Sequence, residues 1–151
     1  MIWGCITHLG IGMSAYTEGS LNAEDYQGIL QDCLLGTMKK HKLNKKNIIF
    51  QQDNAPIHKA KTTLNWLKEN KIEVLPWPPR SPDLNPIENV WHHLKLKLYE
   101  YNLNPRGVHE LWDRVSDKWS TFTAEALASY YNSMPDRMAA IIKAKGGHIN
   151  Y

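Results

Sequence analysis

Cysteine is scarce in this chain of 151 residues: only Cys5 and Cys33 occur, and they form no CxxC pair. That excludes a disulfide scaffold and a zinc site of paired thiolates, and reduced thiols in an intracellular protein are expected. No apolar run is long enough to cross a bilayer and no signal-peptide layout opens the chain, so no membrane partner is expected. Repeats, linkers and low-complexity tracts are absent as well. Neither sign of charge is in large excess: a net +3 and an isoelectric point near 8.8 suit nucleic acid without singling it out, since many inert domains are equally basic. What is there is a chain of one-domain size with 42% hydrophobic residues, enough for a buried core.

The most informative stretch runs from Gln51 to Trp91. Its two ends carry acidic residues, Asp53 and Glu88, with residues 54 to 87 between them. Ile48, Ile49 and Phe50 form a short apolar run of β-formers that predicts a buried strand, and Gln51-Gln52-Asp53-Asn54 marks its exit. Ligands of open α/β sheets gather at the carboxyl ends of strands, where Asp53 falls. Glu88 follows Asn85-Pro86-Ile87, an N-cap with proline in the first turn of a helix. Two carboxylates on fixed elements suit Mg²⁺ or Mn²⁺, hard cations commonly held by one or two carboxylates plus water and substrate phosphate. Each residue has a structural alternative: Asp53 as the acceptor of an Asx-turn before Ala55-Pro56, and Glu88 as the partner of Asn85 in a capping box.

Around this stretch the pattern predicts α/β structure. Met1–Thr7 and Ile11–Thr17 read as a hairpin about His8-Leu9-Gly10. Tyr26, Ile29, Leu30, Cys33, Leu34 and Met38 recur at helical spacing behind Asn22, with Asp25 to complete a capping box and Leu21 to staple onto Tyr26. Lysines 39, 40, 42, 45 and 46 follow, either a solvated helix end or a nuclear address and phosphate contact. Ala60, Leu64 and Leu67 mark a short helix, and Ile72–Leu75 a second strand. Trp77-Pro78-Pro79-Arg80-Ser81-Pro82 is a stiff loop, because each proline fixes its own φ and restricts its predecessor. In it Arg80 is a candidate DNA-phosphate contact, and Trp77 either stacks on a base or covers the core edge. His58 either stands near a reacting phosphate, through its closeness to Asp53 in sequence, or only caps the next helix, and it is not counted as catalytic. Three helices close the chain: one from Pro86 with Trp91 in the core and His92 and His93 exposed, one through Val108–Trp119, and one from Leu127 that Pro135 breaks, with Met138, Ile141 and Ile142 continuing its apolar face to Gly146-Gly147. Zinc is not expected, because Glu88 and His92 stand in no HExxH pattern.

The strings WGCITHLGIG, QQDNAPIH and WPPRSPDLNPIENVW, with the ending SMPDRMAAIIKAKGGHINY, resemble in colinear order the catalytic domain of the mariner superfamily of DDE transposases, the branch whose last triad member is Glu. The resemblance covers residues 1 to 151. It implies an α/β, RNase H-like (DDE integrase/transposase) fold, a mixed sheet flanked by helices, and Mg²⁺- or Mn²⁺-dependent cleavage and strand transfer on double-stranded DNA, both transposon ends and target. By the match Asp53 is the second acidic residue of the triad and Glu88 the third, and both hold metal. The first Asp of the family lies upstream of WGC, which begins here at Trp3, and none of Glu18, Glu24, Asp25 and Asp32 falls on a suitable strand. The helix-turn-helix domains are missing too. The resemblance therefore implies a partial catalytic domain, truncated at its N-terminus and without its first central strand, with open strand edges; the expected result is aggregation or a homodimer, or else a hairpin docked where the family does not place it. Either this is the catalytic portion of a nuclear transposase, inactive alone, or it is a non-catalytic remnant that at most binds DNA or partner subunits.

Overall fold

In the computed structural model, which describes residues 1–146, the chain begins with a hairpin. Strands β1 (Ile2–Thr7) and β2 (Gly10–Tyr16) are joined through His8 and Leu9, a connection short enough only for antiparallel strands. Thr7 steadies the turn, its Oγ1 accepting from the Leu9 amide at 3.1 Å and donating to the Gly10 carbonyl at 3.1 Å. Gly10 takes a φ of 130°, a value other residues rarely reach, and so the turn closes one residue earlier than predicted. Contacts divide the chain, expected from its length to be one domain, into two compact units. One comprises Met1–Cys5 and Gly12–Arg80, the other Ile6–Ile11 and the described residues from Ser81 on, to 146.

In the first unit Asn22 caps helix α1 (Ala23–Ile29). Its side chain accepts from the amides of Glu24 and Asp25 at 2.8 and 2.9 Å while Asp25 Oδ2 accepts from the Asn22 amide at 3.3 Å, the reciprocal box the sequence predicts. The helix does not continue as α. Leu30–Leu34 form a π-helical turn before α2 (Leu35–Lys40) resumes. The reason lies in the apolar spacing: Tyr26, Leu30, Leu34 and Met38 recur every four residues, and on a 3.6-residue helix each such step drifts by about 40°. A wider i→i+5 turn absorbs that drift and keeps all four buried.

The core of this unit is Tyr26, Leu30, Leu34, Leu67 and Ile72, with Leu21, Trp3, Phe50, Trp66 and Val74 packed against it. Thr37 is buried beside it, its Oγ1 accepting from the Met13 amide at 2.7 Å and lying 3.2 Å from Cys5 Sγ. Nothing larger than glycine fits at position 12, because a Cβ there would lie 2.4 Å from Cys5 Sγ and 2.6 Å from Thr37 Oγ1. Cys5 and Cys33 are free, and burial pushes both thiols up, Cys5 to about 11, so neither is a thiolate at neutral pH.

Strand β3 (Ile49–Phe50) and strand β4 (Glu73–Val74) pair in parallel, with Ile49 opposite Glu73 and Phe50 opposite Val74. Between them come a short helix α3 (Pro56–Lys59) and α4 (Lys61–Glu69). Two features correct the sequence reading. Ile49 is 58% exposed, so β3 is half covered rather than buried. The four strands form two separate two-stranded sheets, β1–β2 and β3–β4, in place of one mixed sheet. Both corrections have one cause: among the described residues each strand has a single partner strand, and a two-residue ladder covers little of either. Unpaired edges recruit other strands. The chain is therefore expected to self-associate, and a single monomeric mass by size-exclusion chromatography with light scattering would count against this.

The second unit contains α5 (Pro86–Leu98), α6 (Val108–Ser120), α7 (Ala124–Asn132) and α8 (Met134–Lys143). Its core gathers Val90 and Leu94 of α5, Val115 and Trp119 of α6, Phe122 and Leu127, with Ile6 and Ile11 from the hairpin against it. Trp91 stacks on Trp119 with centroids 5.0 Å apart. Tyr131 ties the hairpin tip to the same unit, its hydroxyl donating to the Thr7 carbonyl at 3.0 Å. Pro135 separates α7 from α8 as predicted, taking a place in the first turn of α8 where its missing N–H costs nothing. The predicted apolar face of α8 is not buried: Met138 is 54% and Ile142 75% exposed, and the buried residue of that helix is Arg137. Gly146 ends the helix region with φ 83°, and Gly147 lies outside the described residues.

Candidate active site

Asp53 stands three residues beyond β3, on the loop leaving the carboxyl end of the parallel pair. The loop leaving β4 starts from the same end, and Asn54 joins the two, its Nδ2 donating to the Trp77 carbonyl at 2.8 Å. Two parallel strands thus place two loops side by side at the edge where such sheets bind ligands. Asp53 is the exposed member, with 63% of its side chain accessible. The Asx-turn alternative is realised as well: Asp53 Oδ1 accepts from the Ala55 amide at 3.0 Å. An Asx-turn and a ligand role are compatible, because the turn uses one carboxylate oxygen.

His58, which the sequence leaves between two readings, sits in α3 with Nδ1 2.6 Å from Asp53 Oδ1. Its ring lies against Tyr26, centroids 4.4 Å apart. Tyr26 in turn donates its hydroxyl to Gln52 Oε1 at 2.7 Å, and Gln52 Nε2 reaches the His58 carbonyl at 3.4 Å. Burial above all, with the Asp53 charge adding to it, raises the Tyr26 phenol well beyond its ordinary range, so it remains a donor. The QQDNAPIH string held a signal for this arrangement: His58 is five residues from Asp53, with Pro56 starting a helical turn that swings it back.

Glu88 occupies the first turn of α5 in the second unit and is exposed. Asn85 caps that helix, its side chain accepting from the Ile87 amide at 3.3 Å, and the Glu88 amide donates to the Asn85 carbonyl at 3.1 Å. An acidic side chain in a first turn is favoured by the helix dipole. Arg80 is exposed and takes a φ of 55°, a left-handed conformation the prolines of this loop do not announce. Trp77 is half-buried. His92 and His93 are exposed as predicted, and His93 stacks on Tyr130 with centroids 5.5 Å apart.

The acidic residues before Asp53 lie off the strands. Glu24 and Asp25 are in the first turn of α1, Asp25 engaged in its capping box, Asp32 is in the π-helical turn, and Glu18 follows β2. Among the described residues no group of three His, Cys, Asp or Glu side chains is placed to hold a metal ion. The two predicted ligands are hard oxygen donors on fixed backbone, a donor type that fits Mg²⁺ or Mn²⁺. No helix is long and apolar enough to cross a membrane among the described residues.

Comparison with known proteins bears on this arrangement. The Tc3 transposase of Caenorhabditis elegans is 37% identical over the whole chain, which matches 45% of that protein. The Tcb1 transposase of Caenorhabditis briggsae is 28% identical, again over the whole chain and 54% of its own length. The chain thus spans about half the length of the curated relatives it matches. Among solved structures, the catalytic domain of Mos1 mariner transposase superposes with a TM-score of 0.86 at 21% identity, covering 99% of this chain and 75% of that one. The fold is accordingly the RNase H-like fold of DDE transposase catalytic domains, here with small sheets and flanking helices. Residues 1–111 match the family described as DDE superfamily endonuclease, and since that match takes in most of the chain, the protein belongs to the DDE superfamily of endonucleases.

Proposed function

We propose that this chain is part of the catalytic region of a Tc1/mariner-type transposase, with Asp53 and Glu88 as two of the carboxylates that hold its divalent cations. The observation that carries this reading is the placement of Asp53, exposed at the carboxyl end of a parallel strand pair, within a chain 37% identical along its length to the Tc3 transposase. Mos1 structures are described with Mn and with Mg, and others as paired-end and strand transfer complexes. By extension, the partners proposed here are Mg²⁺ or Mn²⁺, transposon ends and target DNA, met in the nucleus of a eukaryotic host. When bound, such cations clamp the attacking and leaving oxygens of an in-line phosphoryl displacement. Asp53 and Glu88 supply negative oxygen donors, the Asn54–Trp77 bond fixes the loop that carries Asp53, and Arg80 offers a guanidinium for a DNA phosphate.

A second reading, a non-catalytic module that at most binds DNA or partner subunits, is favoured by a different observation. No described residue completes a three-donor cluster, so the chain by itself is expected to cleave nothing. Supercoiled plasmid incubated with the chain and either Mg²⁺ or Mn²⁺ should stay uncut; nicking that disappears in Asp53→Ala or Glu88→Ala would show that the chain carries a complete site. The catalytic assignment is tested in a chimera, with this chain replacing the matched region of the Tc3 transposase. Excision is expected and should be lost in both alanine variants. An active chimera indifferent to Asp53→Ala or Glu88→Ala would remove these residues from the mechanism.

A further inference from the structure

We infer that His58 is a positioning residue for Asp53, fixing which carboxylate oxygen faces a cation; this rests on the reading of Asp53 as a metal ligand. Both hydrogen bonds to the Asp53 carboxylate land on the same oxygen, Oδ1: the Ala55 amide at 3.0 Å and His58 Nδ1 at 2.6 Å. Among the described residues Oδ2 accepts none. The carboxylate can only accept, so Nδ1 carries the hydrogen. Two donors on one oxygen hold the χ2 torsion of an otherwise exposed side chain and direct Oδ2 outward as the oxygen available to a cation.

The donor is itself held. Only 17% of the His58 side chain is accessible, against 63% for Asp53. Its ring rests on Tyr26, which is 1% exposed and belongs to the core of the first unit. Tyr26 bonds to Gln52, and Gln52 bonds back to the His58 carbonyl, so the backbone that carries the ring and the face it rests on are tied to each other, while the ring is held by Tyr26 and by the bond at Nδ1. A merely space-filling histidine needs no donor at Nδ1. The short contact at that atom, aimed at the one predicted ligand in the unit, is what a positioning role requires. Groups hydrogen-bonded to a metal ligand typically contribute 10- to 100-fold to metal affinity.

The experiment titrates the chain with Mn²⁺, reading free ion by electron paramagnetic resonance, with Mg²⁺ as competitor and circular dichroism to check each variant's fold. Wild type is expected to bind, and Asp53→Asn to lose most of that affinity. His58→Phe keeps a ring on Tyr26 but has no donor, and should bind roughly tenfold more weakly. His58→Asn places an amide nitrogen where Nδ1 was and should recover most of the loss, whereas His58→Gln places it one bond farther out and should not. If Asp53→Asn loses binding while His58→Phe or, should that variant not fold, His58→Gln binds like wild type, the positioning role is wrong and the ligand assignment stands. If the wild type binds no Mn²⁺, or Asp53→Asn binds as wild type does, the ligand assignment fails and the positioning role falls with it.

Discussion

Replacing Trp119 with alanine is expected to lower the unfolding free energy by about 3–5 kcal/mol, the range for emptying a large aromatic site in a core. Trp119 is only 4% exposed, stacks on Trp91 at 5.0 Å and meets Phe122 edge-on at 6.3 Å, with Val90, Leu94, Val115 and Leu127 in the same cluster. Helix ends and side chains already in contact on several sides leave little room for the cavity to collapse, which places the cost toward the upper part of that range. Since small domains have roughly 5–15 kcal/mol in total, the variant should be largely unfolded under mild denaturant. Urea unfolding followed by circular dichroism reads the effect as a lowered midpoint. Trp91→Ala, on the half-buried side of the stack, should cost visibly less. Equal midpoints for the two variants would show that burial does not order their contributions.

Arg137→Ala should cost about 2–3 kcal/mol, an amount set by hydrogen bonds that involve a charged donor. The guanidinium is 4% exposed; its Nε donates to Ser133 Oγ at 3.0 Å and Nη1 to the Asp83 carbonyl at 3.1 Å. Asp83 belongs to the single turn of 3₁₀ helix, Pro82–Leu84, that delivers the chain to the Asn85 cap and so to Glu88. Losing the bond frees that turn as well as weakening α8. Arg137→Lys should recover little, because one ammonium on a flexible stem cannot reproduce a planar fork that serves two acceptors. Hydrogen exchange at the Glu88 amide, which donates to the Asn85 carbonyl, should quicken in both variants. Wild-type stability in Arg137→Lys would mean that charge alone, without the fork, suffices.

The helices were legible wherever spacing and caps agreed. Asn22 with Asp25, Asn85 before Pro86, and Pro135 between two apolar runs each announce a boundary through local chemistry alone, and each boundary is found there. The π-helical turn was also written in the sequence, in steps of four from Tyr26 to Met38, but helix and π-turn share an apolar face and only the accumulated drift separates them. Strands were harder to read. Ile48-Ile49-Phe50 has the composition of a buried strand, yet burial depends on neighbours supplied from elsewhere in the chain, and Ile49 has few. The same limit hid Arg137: a run of Met138, Ile141 and Ile142 looks like a core face until the fold decides which side of α8 is covered. At the candidate site, the sequence alone singles out Asp53 and Glu88 by residue type and by the elements that precede them. The hydrogen bond from His58 is only hinted at there, because a spacing of five suits no regular element and becomes a contact only through the turn at Pro56.

The hairpin has a consequence for anyone who wishes to take the protein apart. Its base, Met1–Cys5 and the segment from Gly12, is counted with the first unit, while its tip, Ile6–Ile11, supplies Ile6 and Ile11 to the core of the second. The second unit is therefore discontinuous in the gene. A fragment starting at Ser81 would be expressed without six of its residues and with an apolar gap where two isoleucines belong, so dissection calls for a circular permutant or a synthetic hairpin peptide added back, not a simple cut.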